Sequence, residues 1–128
     1  MDKVLIDTSA WVDFFTRSTS RAAEVVDRLL EEGRGCVTGV VMAELLRGTR
    51  SVQARDLLLA TLQSLTFLET TRDIWMASGS LAASLSQAGR SLPLTDILMA
   101  AVAHAYDCPI YTTDAHFNHI PHVKLYRG

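Results

Sequence analysis

The sequence predicts an α/β fold: a parallel sheet of five short strands covered by helices on both faces, a three-layer α/β/α sandwich. Short runs that are apolar throughout, such as Val4-Leu5-Ile6, read as strands buried on both sides, because a strand with one wet face alternates instead. Longer stretches between them carry apolar residues at helical spacing. The two kinds of segment alternate along the chain, as they do where helical crossovers join parallel strands. A chain of 128 residues suits a single domain over residues 1–128. With 48% hydrophobic residues and a net charge of −2, disorder is excluded as the main state.

Val4-Leu5-Ile6 is the first strand, and Asp7-Thr8-Ser9 leads from it into a short helix over Ala10–Phe15. Ser20–Glu32 follows as a helix, with Ala22, Val25, Val26, Leu29 and Leu30 on one face and Gly33 to end it. Gly35-Cys36-Val37 is the second strand, and Thr38 or Gly39 opens the helix Val40–Arg47. Ser51 is the expected N-cap of a helix over Val52–Leu65. Thr66–Glu69 is the third strand. Thr70-x-x-Asp73 has the form of a capping box before a long helix, Ile74–Gln87, stopped at Gly89. Leu94–Tyr106 is apolar nearly all round and therefore expected to be buried on most sides. Pro109–Thr112 is the fourth strand, Thr113–Asn118 a loop, and His122–Tyr126 the fifth strand.

Composition narrows the functional classes. Cys36 and Cys108 lie far apart and form no C-x-x-C, which argues against a disulfide framework and fits a reducing cytoplasm. The longest fully apolar stretch, Ile97–Ala103, is too short to span a bilayer, and Asp2 and Asp7 interrupt the start before a signal-peptide core could form. No membrane association and a cytoplasmic location are expected. The charge balance neither requires nor excludes a nucleic-acid partner.

Four acids stand in apolar surroundings: Asp7 after the first strand, Glu44 in Val40-Val41-Met42-Ala43-Glu44-Leu45-Leu46, Asp96 in the first turn of the apolar helix, and Asp114 after the fourth strand. Burying a carboxylate without a partner is expensive, and no Lys or Arg adjoins Asp7, Asp96 or Asp114 in sequence. A shared divalent cation would resolve all four, and hard oxygen donors select Mg2+ or Mn2+ over zinc. Without these four, ten acids remain against twelve bases, an anionic site on a mildly cationic body. Singly, each acid has a simpler reading. Asp7 can be a helix N-cap, Asp96 a complement to the helix dipole, Glu44 a partner of Arg47 and Asp114 a turn residue.

Taken in order, Val4-Leu5-Ile6-Asp7-Thr8-Ser9-Ala10-Trp11, Val41-Met42-Ala43-Glu44-Leu45-Leu46-Arg47-Gly48, Leu94-Thr95-Asp96-Ile97-Leu98-Met99-Ala100-Ala101 and Tyr111-Thr112-Thr113-Asp114-Ala115-His116-Phe117 resemble the PIN-domain ribonucleases, most closely the VapC-type toxins of toxin–antitoxin pairs. The resemblance implies a PIN-like sandwich and an acidic site of Asp7, Glu44, Asp96 and Asp114 that holds Mg2+ or Mn2+. It implies hydrolysis of single-stranded or looped RNA to a 5′-phosphate and a 3′-hydroxyl, with Ser9 or Thr112 positioning a water or phosphate. It further implies a homodimer and a cognate antitoxin whose C-terminal segment lies in a groove leading to the acids, beside Trp11, Phe14 and Phe15. Some relatives carry a further acid after the Asp114 equivalent, where this chain has His116 and Asn118.

Other classes stay in view: a catalytically idle PIN-like binding module, or a Mg2+-dependent phosphatase of the haloacid-dehalogenase type. The latter carries a second Asp where this chain has Ser9. Gly33-x-Gly35-x-x-x-Gly39 misses the dinucleotide fingerprint by one residue and precedes a strand, so it reads as a helix cap and turn. His116-x-x-His119-x-x-His122 is broken by Pro121 and reads as surface or RNA-facing histidines. His104 reads as a core histidine. Arg47, Arg50 and Arg55 read equally as a phosphate-facing patch and as solvated charges.

Overall fold

The structure is a computed structural model that describes residues 2–128. Strands β1 (Val4–Ile6), β2 (Gly35–Thr38), β3 (Thr66–Leu68) and β4 (Ile110–Tyr111) form one parallel sheet in the order β3-β2-β1-β4. Helices α1 (Thr8–Thr16) and α2 (Arg21–Glu31) join β1 to β2; α3 (Gly39–Arg47) and α4 (Val52–Gln63) join β2 to β3; α5 (Arg72–Gln87) and α6 (Leu94–Ala105) join β3 to β4. The first two crossovers step across the sheet in one direction and the third steps back. Right-handed crossovers therefore put α1–α4 on one face and α5–α6 on the other. This makes the three layers.

Among the described residues the sheet has four strands, not the expected five. The segment expected as the fifth meets β4 in a single bridge, Ile110 to Leu125, flanked by Ile110 N–H to the Lys124 carbonyl and Tyr126 N–H to the Ile110 carbonyl. β4 is only two residues long, and His122 enters the segment with φ of 65°, so no longer ladder can form.

β1 and β2 are buried throughout, as their apolar runs require. Register pairs Leu5 with both Cys36 and Ile110. A Cβ at Gly35 would lie 2.7 Å from Leu65 Cδ2, so a larger residue there would require the Leu65 side chain to move. The core is one cluster that joins the strands to Ala10, Trp11, Leu29, Val41, Leu58, Met99, Val102 and Phe117. α6 is buried from Ile97 to Ala103.

Capping follows the sequence at Ser20 and Ser51, whose hydroxyls accept from Ala23 N–H and Ala54 N–H. Thr38 rather than Gly39 caps α3. α5 is capped by Thr71, which accepts from Ile74 N–H, rather than by the expected box at Thr70 and Asp73. α2 ends on Gly33 at φ of 67°, with Arg34 N–H reaching back to the Leu29 carbonyl, the left-handed closure that favours glycine. α6 ends the same way on Asp107.

His104, expected in the core, is exposed at the end of α6 and faces the ring of His122 at 5.9 Å. Cys36 and Cys108 are free and buried, and burial pushes the Cys108 thiol up to about 11, which keeps it unreactive. Among the described residues no helix is long and apolar enough to cross a membrane.

Candidate active site

β1 has β2 on one side and β4 on the other, and the chain leaves toward opposite faces from these strands. This is the switch point of the sheet, where side chains at the strand ends surround an open crevice. Asp7 ends β1, and its N–H bonds the Tyr111 carbonyl of β4, which fixes the Asp7 backbone beside Thr112.

Asp7 is 6% exposed. Its Oδ2 accepts from the Ser9 hydroxyl at 2.8 Å and from the Thr112 hydroxyl at 2.9 Å. Each hydroxyl has one proton, so the 3.1 Å approach of Ser9 Oγ to Thr112 Oγ1 is a contact of two acceptors when both protons point at Asp7. The hydroxyl oxygens are held in turn: Ser9 Oγ accepts from Thr113 N–H, and Thr112 Oγ1 from Asp114 N–H. Asp7 Oδ1 takes no hydrogen bond among the described residues and stays open for another ligand.

Asp96 comes from the first turn of α6, and Asp114 caps the 3-10 turn η1 (Ala115–His119). Asp114 Oδ1 accepts from His116 N–H at 2.9 Å. The turn is anchored by buried Phe117 and delivers the His116 ring to both acids. Nδ1 lies 2.7 Å from Asp96 Oδ2 and 3.3 Å from Asp114 Oδ1. One ligand atom from each of Asp96, Asp114 and His116 lies within 4.8 Å of the other two. Burial raises the Asp96 pKa, the His116 hydrogen bond lowers it, and the charges of Asp7 and Asp114 raise it again; the net shift is upward. The His116 pKa is raised, chiefly by its bond to Asp96.

Glu44 stands at the rim, on the α3 side. It does not join the group of Asp96, Asp114 and His116. Its Oε1 accepts from the Thr8 hydroxyl at 2.7 Å, which ties it to the residue after Asp7. The alternative pairing of Glu44 with Arg47 does not form among the described residues, and Arg47 is exposed at the end of α3. Asn118, a candidate for substrate contact, lines a cavity against α5 with Leu81, Leu85 and Arg90.

Two features escaped the sequence. Thr8 has no motif of its own; only its place between Asp7 and the first turn of a helix could have marked it. His116 was expected to face solvent or RNA, and its contact with Asp96 and Asp114 became visible only with the 3-10 turn that carries it. Trp11, expected beside a partner, is fully buried, and its Nε1 has no hydrogen-bond partner among the described residues. Phe15 stacks on it at 6.0 Å and 22°.

The donor set suits a divalent cation. The carboxylates of Asp96 and Asp114 converge with one imidazole, Asp7 is near enough for its charge to raise the Asp96 pKa, and one oxygen of Asp7 takes no hydrogen bond among the described residues.

Comparison with known proteins fits this geometry. The family described as PIN domain matches residues 4–123. The chain is 31% identical over 124 residues to the VapC ribonuclease Mb1587 of Mycobacterium bovis, covering 94% of this chain and 92% of the relative. It is equally similar to ribonuclease VapC11 of Mycobacterium tuberculosis. Among solved structures it resembles VapBC2 from Rickettsia felis bound to a promoter DNA fragment, with a TM-score of 0.81, 20% identity and 96% of each chain covered. It also resembles VapBC-5 from Mycobacterium tuberculosis, with a TM-score of 0.65, 25% identity, and 97% of this chain and 94% of that one covered.

Proposed function

The chain belongs to the PIN-domain family, on its VapC branch, and on that premise we propose that it is a metal-dependent endoribonuclease, the toxin of a toxin–antitoxin pair. The observation that carries the proposal is the convergence of Asp96 and Asp114 at the switch point, with the charge of Asp7 acting on Asp96 and Glu44 tied to the residue after Asp7 through Thr8. Asp7, Asp96, Asp114 and Glu44 would hold Mg2+ or Mn2+. When bound, such an ion lowers the pKa of a water and neutralises charge on phosphate oxygens.

The chain's own groups divide the remaining work. Ser9 and Thr112 fix Asp7 through one oxygen and leave the other free for the reacting side. Asp96 or Asp7 orients the attacking water and takes up its proton; the raised affinity of Asp96 for a proton suits that role. Arg47, exposed one turn beyond Glu44, would hold an RNA phosphate without reading sequence. Hydrolysis at this site would leave a 5′-phosphate and a 3′-hydroxyl.

The same reading gives the chain a homodimeric state and a cognate antitoxin. A groove of about 560 Å3 reaches the site at Glu44 and is lined by Thr8, Val12, Phe15, Leu57 and Leu58 among others. An amphipathic antitoxin segment would seat its apolar side there.

The test is cleavage of a short fluorescent RNA with Mg2+ or Mn2+. Asp7→Asn, Asp96→Asn, Asp114→Asn and Glu44→Gln should each lower the rate by roughly 100-fold or more, with the circular dichroism spectrum unchanged. Near-normal cleavage by the Asp96 variant would overturn the proposal.

A further inference from the structure

We infer that His116 is a metal ligand of this chain and that its nitrogen favours transition-metal ions, Mn2+ among them, over Mg2+ at this site. The inference rests on the reading of the acid cluster as a metal centre and adds to it a donor and a selectivity.

The first argument is distance. Neighbouring ligands on an octahedral ion with bonds near 2.1 Å stand about 3.0 Å apart. The His116 Nδ1 separations from Asp96 Oδ2 and Asp114 Oδ1, 2.7 and 3.3 Å, bracket that value. Both separations from the imidazole thus already suit neighbouring ligands, and the two carboxylate oxygens lie within 4.8 Å of each other.

The second argument is how the ring is held. His116 sits two residues after Asp114 on the 3-10 turn, and its own N–H is bonded to the Asp114 carboxylate. Phe117, the next residue, is 1% exposed and pins the turn to the core. The His116 side chain itself is 46% exposed, so core packing does not account for its orientation toward two carboxylates. The histidines three and six positions on go elsewhere: His119 lines the α5 cavity, and His122 faces His104.

The third argument is donor chemistry. Mg2+ prefers oxygen ligands and retains its waters, whereas imidazole suits the later divalent ions, whose affinity for mixed nitrogen and oxygen sites rises from Mn2+ onward. Two carboxylates with one imidazole favour Mn2+ over Mg2+ more than an all-carboxylate site does. The position where some relatives carry a further acid is filled here by a different kind of donor.

The test uses the whole chain, stripped of metal and loaded with one equivalent of Mn2+. Pulsed electron paramagnetic resonance should detect coupling of the bound Mn2+ to an imidazole nitrogen. The coupling should vanish in His116→Ala, a change at an exposed position of the turn. Loss of the hexaaqua Mn2+ signal on titration gives the affinity. His116→Ala should weaken Mn2+ by about tenfold or more, on the scale seen when a site loses a supporting group. Mg2+ affinity, read by competition, should change less than about twofold, as expected for an oxygen-preferring ion. Bound Mn2+ without nitrogen coupling in the unsubstituted chain, or equal weakening of both ions in the variant, would overturn the inference and leave the acidic metal centre standing. Failure of the unsubstituted chain to bind Mn2+ at all would overturn both.

Discussion

Burial lifts the Asp96 carboxyl above its ordinary pKa of 3.8, and the charges of Asp7 and Asp114 lift it further against the pull of the His116 bond. His116 is itself raised above 6.5, chiefly by Asp96 and further by the charges of Asp114 and Asp7. Both groups therefore bind protons more tightly folded than unfolded. Their contribution to stability is present at low pH and lost as pH rises, for Asp96 above 3.8 and for His116 above 6.5. The metal-free protein should melt at a lower temperature at pH 8 than at pH 6. His116→Asn, which cannot gain a charge, should flatten that slope. Thermal melts of both proteins in chelator check this; identical slopes would mean that the histidine is not coupled to the acids. The four acids were legible in the sequence because charged residues in apolar runs demand a partner. The division of labour was not. That Asp7 would be tied by two hydroxyls while Glu44 stood apart at the rim depends on side-chain directions that spacing does not encode.

At the scale of elements, the helices were readable where a cap or a long amphipathic face marks them. α2 shows this: Ser20 caps it, Ala22, Val25, Val26 and Leu29 are buried, and Glu24 and Arg28 meet at 3.2 Å on its wet side. The last strand was misread because Val123 and Leu125 alternate with polar residues, a pattern that also suits an extended tail making one bridge. Thr38 is the element-scale device closest to the site. It is fully buried at the end of β2, accepts from Val41 N–H at the start of α3, and donates to Met99 Sδ on α6 at 3.4 Å. It thereby joins the helices that carry Glu44 and Asp96. Thr38→Val keeps the shape but leaves the Val41 N–H without its buried acceptor. We expect a loss of about 1–2 kcal/mol, the worth of a cap plus a stranded donor. Urea unfolding should show a lower midpoint at unchanged slope. An unchanged midpoint would mean that the 3.4 Å cap bond contributes nothing.

The whole molecule supplies what neither residue nor element contains, the juxtaposition of Asp7 and Asp114 from opposite ends of the chain. It follows from strand order: β4 closes against β1, and the strand ends then share one crevice. Alternating segments foretold a parallel sheet but not which strands are neighbours, so the sequence marked the four acids without fixing which of them would share one crevice. The same topology packs α1, α3 and α4 on one face and leaves a groove between them that opens at Glu44. Its residues differ in what they do for the fold. Trp11 is fully buried, so Trp11→Ala would cost about 3–5 kcal/mol through the cavity it leaves, and its effect on a partner would be indirect. Phe15 is part of the same aromatic stack and is compromised in the same way. Val12 and Leu57, 46% and 60% exposed, contribute little to the fold and much to the groove wall. Val12→Ser and Leu57→Ser should therefore leave the melting temperature and RNA cleavage nearly unchanged. Loss of an apolar contact of this size on each should weaken antitoxin binding by about tenfold, equivalent to ~1.4 kcal/mol. Calorimetric titration with the co-expressed antitoxin's C-terminal peptide measures the affinity. Normal binding by both variants would place the antitoxin on another surface and leave the groove as a feature of the fold alone.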